Sequence, residues 1–137
     1  MFDARRLLAA TAVMFGLGIM LPVQAHAIDL SGAWATDAGL CSRVFTQKGK
    51  PVAFAELSDL FGSGFIIEGD RIRGKNARCA IKSRKQEGDN LELSAACATT
   101  IMTSNVVFSL KVIDDNNISR SFPEIPGMTI KYTRCTL

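Results

Sequence analysis

Histidine is almost missing from this chain of 137 residues: there is one, His26, and it lies in a stretch expected to be removed on export. What remains has no imidazole, which excludes Ser-His-Asp and Cys-His catalysis and histidine-ligated metal. No glycine-rich phosphate loop and no dinucleotide fingerprint occurs, so nucleotide chemistry has no motif to rest on. The cysteines include no C-x-x-C pair, which is weak for zinc. After residue 27 no apolar run is long enough to span a membrane. Charge of one sign is also scarce: 16 basic residues face 13 acidic ones, a formal net charge of +3, too mild to imply a nucleic-acid partner. Carboxylates remain, and glycoside hydrolysis needs only two. The candidates Glu56, Asp59, Glu68, Asp70, Glu87 and Asp89 fall mainly in turns or a loop, where acids serve conformation. The expectation is a protein that is not an enzyme and uses neither cofactor nor metal.

What is present begins with an export signal. Arg5 and Arg6 precede an apolar run over residues 7–21, Pro22 breaks it, and Ala25-His26-Ala27 fits a small-x-small cleavage site. Residues 1–27 therefore read as a cleaved signal peptide and residues 28–137 as one domain with one modest core, periplasmic or secreted. An uncleaved membrane anchor is the rival reading, and Pro22 and the Ala-x-Ala site argue against it. Export also interprets the four cysteines, Cys41, Cys79, Cys97 and Cys135, all beyond the leader. Four allow three pairings, and an oxidising compartment favours bridged over free thiols. The favoured pairs are Cys79–Cys97 and Cys41–Cys135, the second tying the first strand region to the last.

Residues 79–97 read as a disulfide-closed β-hairpin. A three-residue loop at Glu87-Gly88-Asp89 sets Cys79 opposite Cys97, Ile81 opposite Ala95, Ser83 opposite Leu93 and Lys85 opposite Leu91. It also sets Arg84 opposite Glu92 on the other face. One face is then mostly apolar and the other mostly polar, as a half-buried antiparallel pair needs. Gly88-Asp89 also suits a two-residue type II′ turn, which would oppose Cys79 to Ala98 and scramble the faces. The face pattern outweighs the turn signal, and a bulge would reconcile the two.

Strand-like stretches recur along the rest of the chain. Residues 29–36 form the expected first strand, with Trp34, the only tryptophan, as a core anchor. Residues 43–46 and 52–55 are short strand candidates around a turn at 47–51. Residues 56–64 are the least regular, one helical turn or a flexible loop. They present Leu60 and Phe61 for partner contact, although the plainer reading has Phe61 and Phe65 plugging the core. Residues 64–74 form a second hairpin turning at Gly69-Asp70. A loop at 98–104, a strand at 106–113, a turn at 114–117, a return at 118–122, a rigid connection at 123–127 and a last strand at 128–135 complete the chain. The sum is eight to ten short strands, an all-β antiparallel barrel or tight sandwich, disulfide-stapled.

The strongest charge asymmetry runs from Arg71 through Arg73, Lys75, Arg78, Lys82 and Arg84 to Lys85, with no acidic residue between. Such a stretch can meet an anionic polysaccharide, lipid head groups or an acidic cleft. A solvated sheet face that discourages edge pairing is the weightier reading. Leu60, Phe61 and Ser63, with Arg71, Arg73, Lys75 and Arg78, make the candidate ligand or partner surface.

Ser31-Gly32-Ala33-Trp34 resembles the G-x-W signature on the first strand of calycin-type barrels, such as lipocalins and bacterial metalloprotease inhibitors. The resemblance implies a small calycin-like barrel whose tryptophan packs under a basic residue of the final strand, here Arg134 or Lys131. The G-x-W start, the GSGFIIEG stretch, the C-x-I-K-S-R-K stretch and the terminal R-C together resemble small exported proteins of alphaproteobacteria. That likeness implies fold and compartment, not activity. Gly62-Ser63-Gly64 resembles the serine-glycine loop of periplasmic lysozyme inhibitors, with Phe65-Ile66-Ile67 where those carry a tyrosine motif. The expected function is a non-catalytic exported binding module for a small apolar ligand or cell-envelope component. The alternative is an inhibitor of an exported hydrolase, of protease or lysozyme type, acting through an exposed loop. The partner is unknown: an anionic envelope component or an exported hydrolase, not nucleic acid.

Overall fold

The computed structural model describes residues 18, 20–22, 26–49 and 51–137. Most of the expected signal peptide, including Arg5, Arg6 and Ala25, lies outside the described residues, as does Lys50 of the expected turn at 47–51. The strands are β1 (Gly32–Ala35), β2 (Phe45–Thr46), β3 (Ala53–Phe54), β4 (Gly64–Glu68), β5 (Arg71–Arg73), β6 (Arg78–Glu87), β7 (Asn90–Ala98), β8 (Thr103–Asp114), β9 (Asn117–Ser121) and β10 (Thr129–Arg134). One helical turn, α1 (Cys41–Val44), and two 3-10 turns at Ala38–Leu40 and Ser58–Leu60 complete the set.

Strand β1 and strands β4 to β10 close an antiparallel barrel in which every strand pairs with its neighbour in the chain and β10 returns to β1. Closure removes the free strand edges that would otherwise template aggregation. The interior is a row-by-row consequence of period-two alternation. In β7, Leu91, Leu93, Ala95 and Cys97 are buried while Asn90, Glu92 and Ala98 are exposed. Trp34, Phe65, Leu93, Leu110, Ile118 and Tyr132 meet in the middle, with the Phe65 and Tyr132 rings edge-to-face at 4.8 Å between centroids. A barrel of this size fills with its own side chains.

Both disulfides form as the sequence suggested, Cys41–Cys135 and Cys79–Cys97. The second hairpin turns at Gly69-Asp70, with Glu68 opposite Arg71. In the hairpin of β6 and β7 both competing signals are honoured. Cys79 faces Cys97 and Ile81 faces Ala95, yet the turn is the two-residue Gly88-Asp89, with Gly88 at φ +59°. The extra residue is absorbed by a bulge at Lys82 between Ile81 and Ser83. Beyond the bulge the expected pairing is therefore corrected: Arg84 faces Leu93, and Lys85 faces Glu92.

Other corrections concern the first third of the domain. The strand expected at 43–46 is the helical turn α1 followed by β2, because four residues are too few for a helical period to declare itself. The first strand is shorter than 29–36. Residues before Gly32 instead cross one barrel mouth, where Leu30 is buried and its carbonyl accepts the Trp34 indole N–H at 2.9 Å. At 56–64 the alternative of one helical turn is realised, at Ser58–Leu60.

Arg134 lies over the Trp34 ring at 4.4 Å, a cation–π contact on the residue pair that the G-x-W likeness implied. Its Nε donates to the Asp115 carbonyl and its Nη2 to the Asp29 carbonyl, both at 3.0 Å, and Nη1 donates to the Ser31 carbonyl. From across the mouth Arg84 donates to the Ile28 carbonyl. Two arginines thus strap the incoming segment over this end of the barrel.

Candidate ligand site beneath the excursion

Between β1 and β4 the chain leaves the barrel wall, makes α1, β2, β3 and the turn at Ser58–Leu60, and returns. This excursion lies against the outside of the wall. Trp34, Phe65 and Ile67 point inward, so Ala33, Ala35 and Ile66 point outward. They are nonetheless buried, under Val44, Phe45, Phe54 and Phe61. Small residues on the wall let the excursion approach closely. At Gly64 a Cβ would stand 2.4 Å from the Trp34 carbonyl oxygen and 2.8 Å from Phe45 Cζ, so no side chain fits. The Cys41–Cys135 bridge pins the excursion to the end of β10, and the Ala55 N–H donates to the Val44 carbonyl at 2.9 Å.

Leu57 is the one non-glycine residue among those described with positive φ, +59°. The left-handed region costs an L-residue roughly 1–2 kcal/mol. Its effect is to turn the next residue inward: Leu57 is 60% exposed and Ser58 is 1% exposed. Beneath the excursion lies a cavity of about 310 Å³, walled by Val44, Phe54, Ser58, Gly62, Ser63 and Gly64, with residues 74–77 and Thr99 opposite. Lys75 and Asp59 form an ion pair across it. The hydrogen bond from Lys75 is the main reason the Asp59 carboxyl is held below its ordinary range.

Among the described residues, two buried side-chain polar atoms have no hydrogen-bond partner: Ser58 Oγ and Arg120 Nε. Ser58 is also a lining residue of the cavity just described, with its Oγ buried. The rest of the lining sets Val44 and Phe54 beside Asp59, Ser63, Lys75, Asn76 and Thr99.

The sequence-derived surface is only partly assembled here. Ser63 and Lys75 line the cavity. Leu60 is not among the lining residues and is 71% exposed, and Phe61 is half-buried under the Arg43 guanidinium, 5.0 Å from the ring centre. Arg73 braces the excursion, bonding the Val52 carbonyl at 2.7 Å and Glu68 at 2.9 Å. Arg71 and Arg78 are exposed on β5 and β6 outside the cavity. The basic stretch is thus divided between separate partners, with Arg84 at the strapped mouth and Lys85 paired to Glu87 at 3.4 Å. Ser58 and Leu57 escaped sequence reasoning because nothing in their spacing sets them apart from other loop residues. Among the described residues no three His, Cys, Asp or Glu side chains gather as metal ligands, and no helix is long and apolar enough to cross a membrane. No family model, no curated protein and no solved structure matches the chain.

Proposed function

We propose that the protein is a non-catalytic exported binding module, periplasmic or secreted, that holds a small apolar ligand or cell-envelope component beneath the excursion. The observation that carries this reading is the buried, unpartnered hydroxyl of Ser58, a lining residue of a cavity with Val44 and Phe54 in its wall. Leaving such a group unsatisfied costs about 1–3 kcal/mol, a cost that a ligand supplying the missing partner removes. The filled barrel interior supports a site at the rim over one in the lumen. The two disulfides support an oxidising compartment. The G-x-W start with Arg134 over Trp34 supports a calycin-type relation and the likeness to small exported alphaproteobacterial proteins.

Native mass spectrometry of the protein isolated from a bacterial envelope tests this. The expected result is a small-molecule adduct whose occupancy falls strongly in Ser58→Leu, which fills the cavity. Adduct-free wild-type protein, or equal occupancy in the variant, overturns the reading.

A second reading, inhibition of an exported hydrolase, draws on Leu57 and Leu60, displayed at 60% and 71% exposure on a disulfide-braced loop. Inhibition of a protease or lysozyme panel that is lost in a Leu57→Asp, Leu60→Asp double variant would favour it. Full hydrolase activity in the presence of excess wild-type protein would remove it.

A further inference from the structure

Strands β6 to β10 carry a second pattern on their outer side. Leu91, Leu110 and Ile118 point to the axis, and Arg120 pairs with Leu110 and Ile130 on that same inner side. The residues between them face out, and register aligns them in two rows across the wall. One row runs Lys85, Glu92, Ser109, Ser121, Thr129, and the next runs Glu87, Asn90, Lys111, Ser119, Lys131. Every side chain in both rows is polar, and all but Lys131 line one cavity of about 420 Å³. Leu91 and Leu110 also border it, but their side chains belong to the inner core. In the first row long side chains stand on β6 and β7 and short hydroxyls follow on β8, β9 and β10, so the face dips there.

Ser119 alone in these rows is buried, at 8% exposure. Its hydroxyl makes no hydrogen bond among the described residues, the nearest side-chain bonds being those of Asp114, Asn117 and Thr133. It is not one of the two enclosed unpartnered atoms, so it opens on the cavity that it lines. Its cross-strand neighbours are Lys111 on one side and Lys131 on the other. Lys85 is paired with Glu87 at 3.4 Å, whereas neither Lys111 nor Lys131 forms an ion pair among the described residues. The hydroxyl end of the cavity is therefore positive, with Glu92 at its far rim on β7.

Two ligand features match this arrangement. Hydroxyls that donate and accept suit a ligand rich in groups that do the same. Two lysines flanking a recessed hydroxyl suit an anion, because cross-strand neighbours lie about 4.5–5.5 Å apart and both ammonium groups reach a point above Ser119. We infer that this outer face binds an acidic saccharide. Lys111, Lys131 and the Ser119 hydroxyl hold its carboxylate or phosphate, and Ser109, Ser121 and Thr129 meet its ring hydroxyls. The site shares no lining residue with the Ser58 cavity and stands without it.

A titration followed by amide NMR, using glucuronate and the phosphate monoester of glucose against glucose, acetate and inorganic phosphate, tests the assignment. At least one acidic sugar should shift the Ser109, Ser119 and Ser121 amides and bind at least about 10-fold more tightly than glucose and than its own bare anion. The tighter of the two identifies the acid group. Ser119→Ala and Lys111→Met should each weaken that sugar roughly 10- to 100-fold, the ratio for losing a hydrogen bond to a charged group. Lys111 is exposed, so its variant keeps the fold, and Lys111→Met should leave glucose unchanged. Ser58→Leu, which fills the other cavity, should leave the acidic sugar bound as before. Outer-face amides that ignore both acidic sugars, or glucose bound as tightly as they are, overturn the proposal. An acidic sugar no tighter than acetate or phosphate alone, or undiminished in Lys111→Met, does so too.

Discussion

The molecule has two hydrophobic cores built by different means. The inner core, around Trp34, Phe65, Leu93 and Tyr132, is made by alternation: every second residue of long paired strands points to the axis. The outer core, around Ala33, Ala35, Val44, Phe45 and Ile66, is made by an appendage of very short elements folded onto the outside of two strands. The inner core is self-sealing. The outer one depends on a disulfide, a glycine with no room for Cβ, and a leucine held in the left-handed region. The difference explains where space remains. A closed wall of alternating side chains packs to completion, whereas a clamped appendage leaves a gap at its edge, and the Ser58 cavity is that gap.

Four predictions bear on this division, and the largest concerns the bridges. Cys41–Cys135 closes a separation of 94 residues and Cys79–Cys97 one of 18. In the chain-entropy account, replacing the first pair by alanine should cost about 4–5 kcal/mol and the second about 3 kcal/mol in denaturant unfolding. The reverse order would mean that the appendage contributes little to the folded state. Trp34→Ala, at the centre of the inner core with no exposure, should cost about 3–5 kcal/mol. A change under about 0.5 kcal/mol in the same assay would contradict its anchoring role. Gly64→Ala forces a methyl between Trp34 and Phe45 and should cost about 1–3 kcal/mol. If it is neutral, the appendage is not clamped as described.

The smallest effect is one of pH. The Asp29 carboxylate accepts the Ser31 N–H at 2.8 Å, and its pKa is lowered chiefly by the Ser31 hydrogen bonds, with Arg134 and Arg84 adding to this. A folded pKa below the unfolded value near 3.8 gives stability that is present above that value and lost as pH falls through the folded pKa. The stability gap between wild type and Asp29→Asn should therefore close below about pH 4. A gap that persists at lower pH would show that the mouth strap does not depend on this charge.

The same division marks what could be read from the sequence. The β6–β7 hairpin was legible because a cysteine pair, an alternation and a glycine turn overlap in it. A bulge was expected to reconcile them, and the only missing piece was its place, Lys82, where it lets all three hold at once. Trp34 under Arg134 followed from a three-residue likeness together with the position of the last strand. The excursion was legible only in part: the strand candidates at 43–46 and 52–55 overlap β2 and β3, but a four-residue helical turn is shorter than any period that could reveal it. Ser58 has no local mark at all. Arg120 did have one: Ile118, Arg120 and Phe122 fall at period two, so a charge interrupts an otherwise apolar inward row. That signal was masked by Ser119 and Ser121, which make the stretch read as polar.

The central claim is that the outer core, not the barrel interior, leaves room for a small ligand. The crystal structure of residues 28–137, purified from the native envelope with whatever it carries, tests it most directly. The account predicts a bound small molecule beneath the excursion within hydrogen-bond reach of Ser58 Oγ. A cavity there holding nothing but ordered water, in protein taken straight from the envelope, would contradict it.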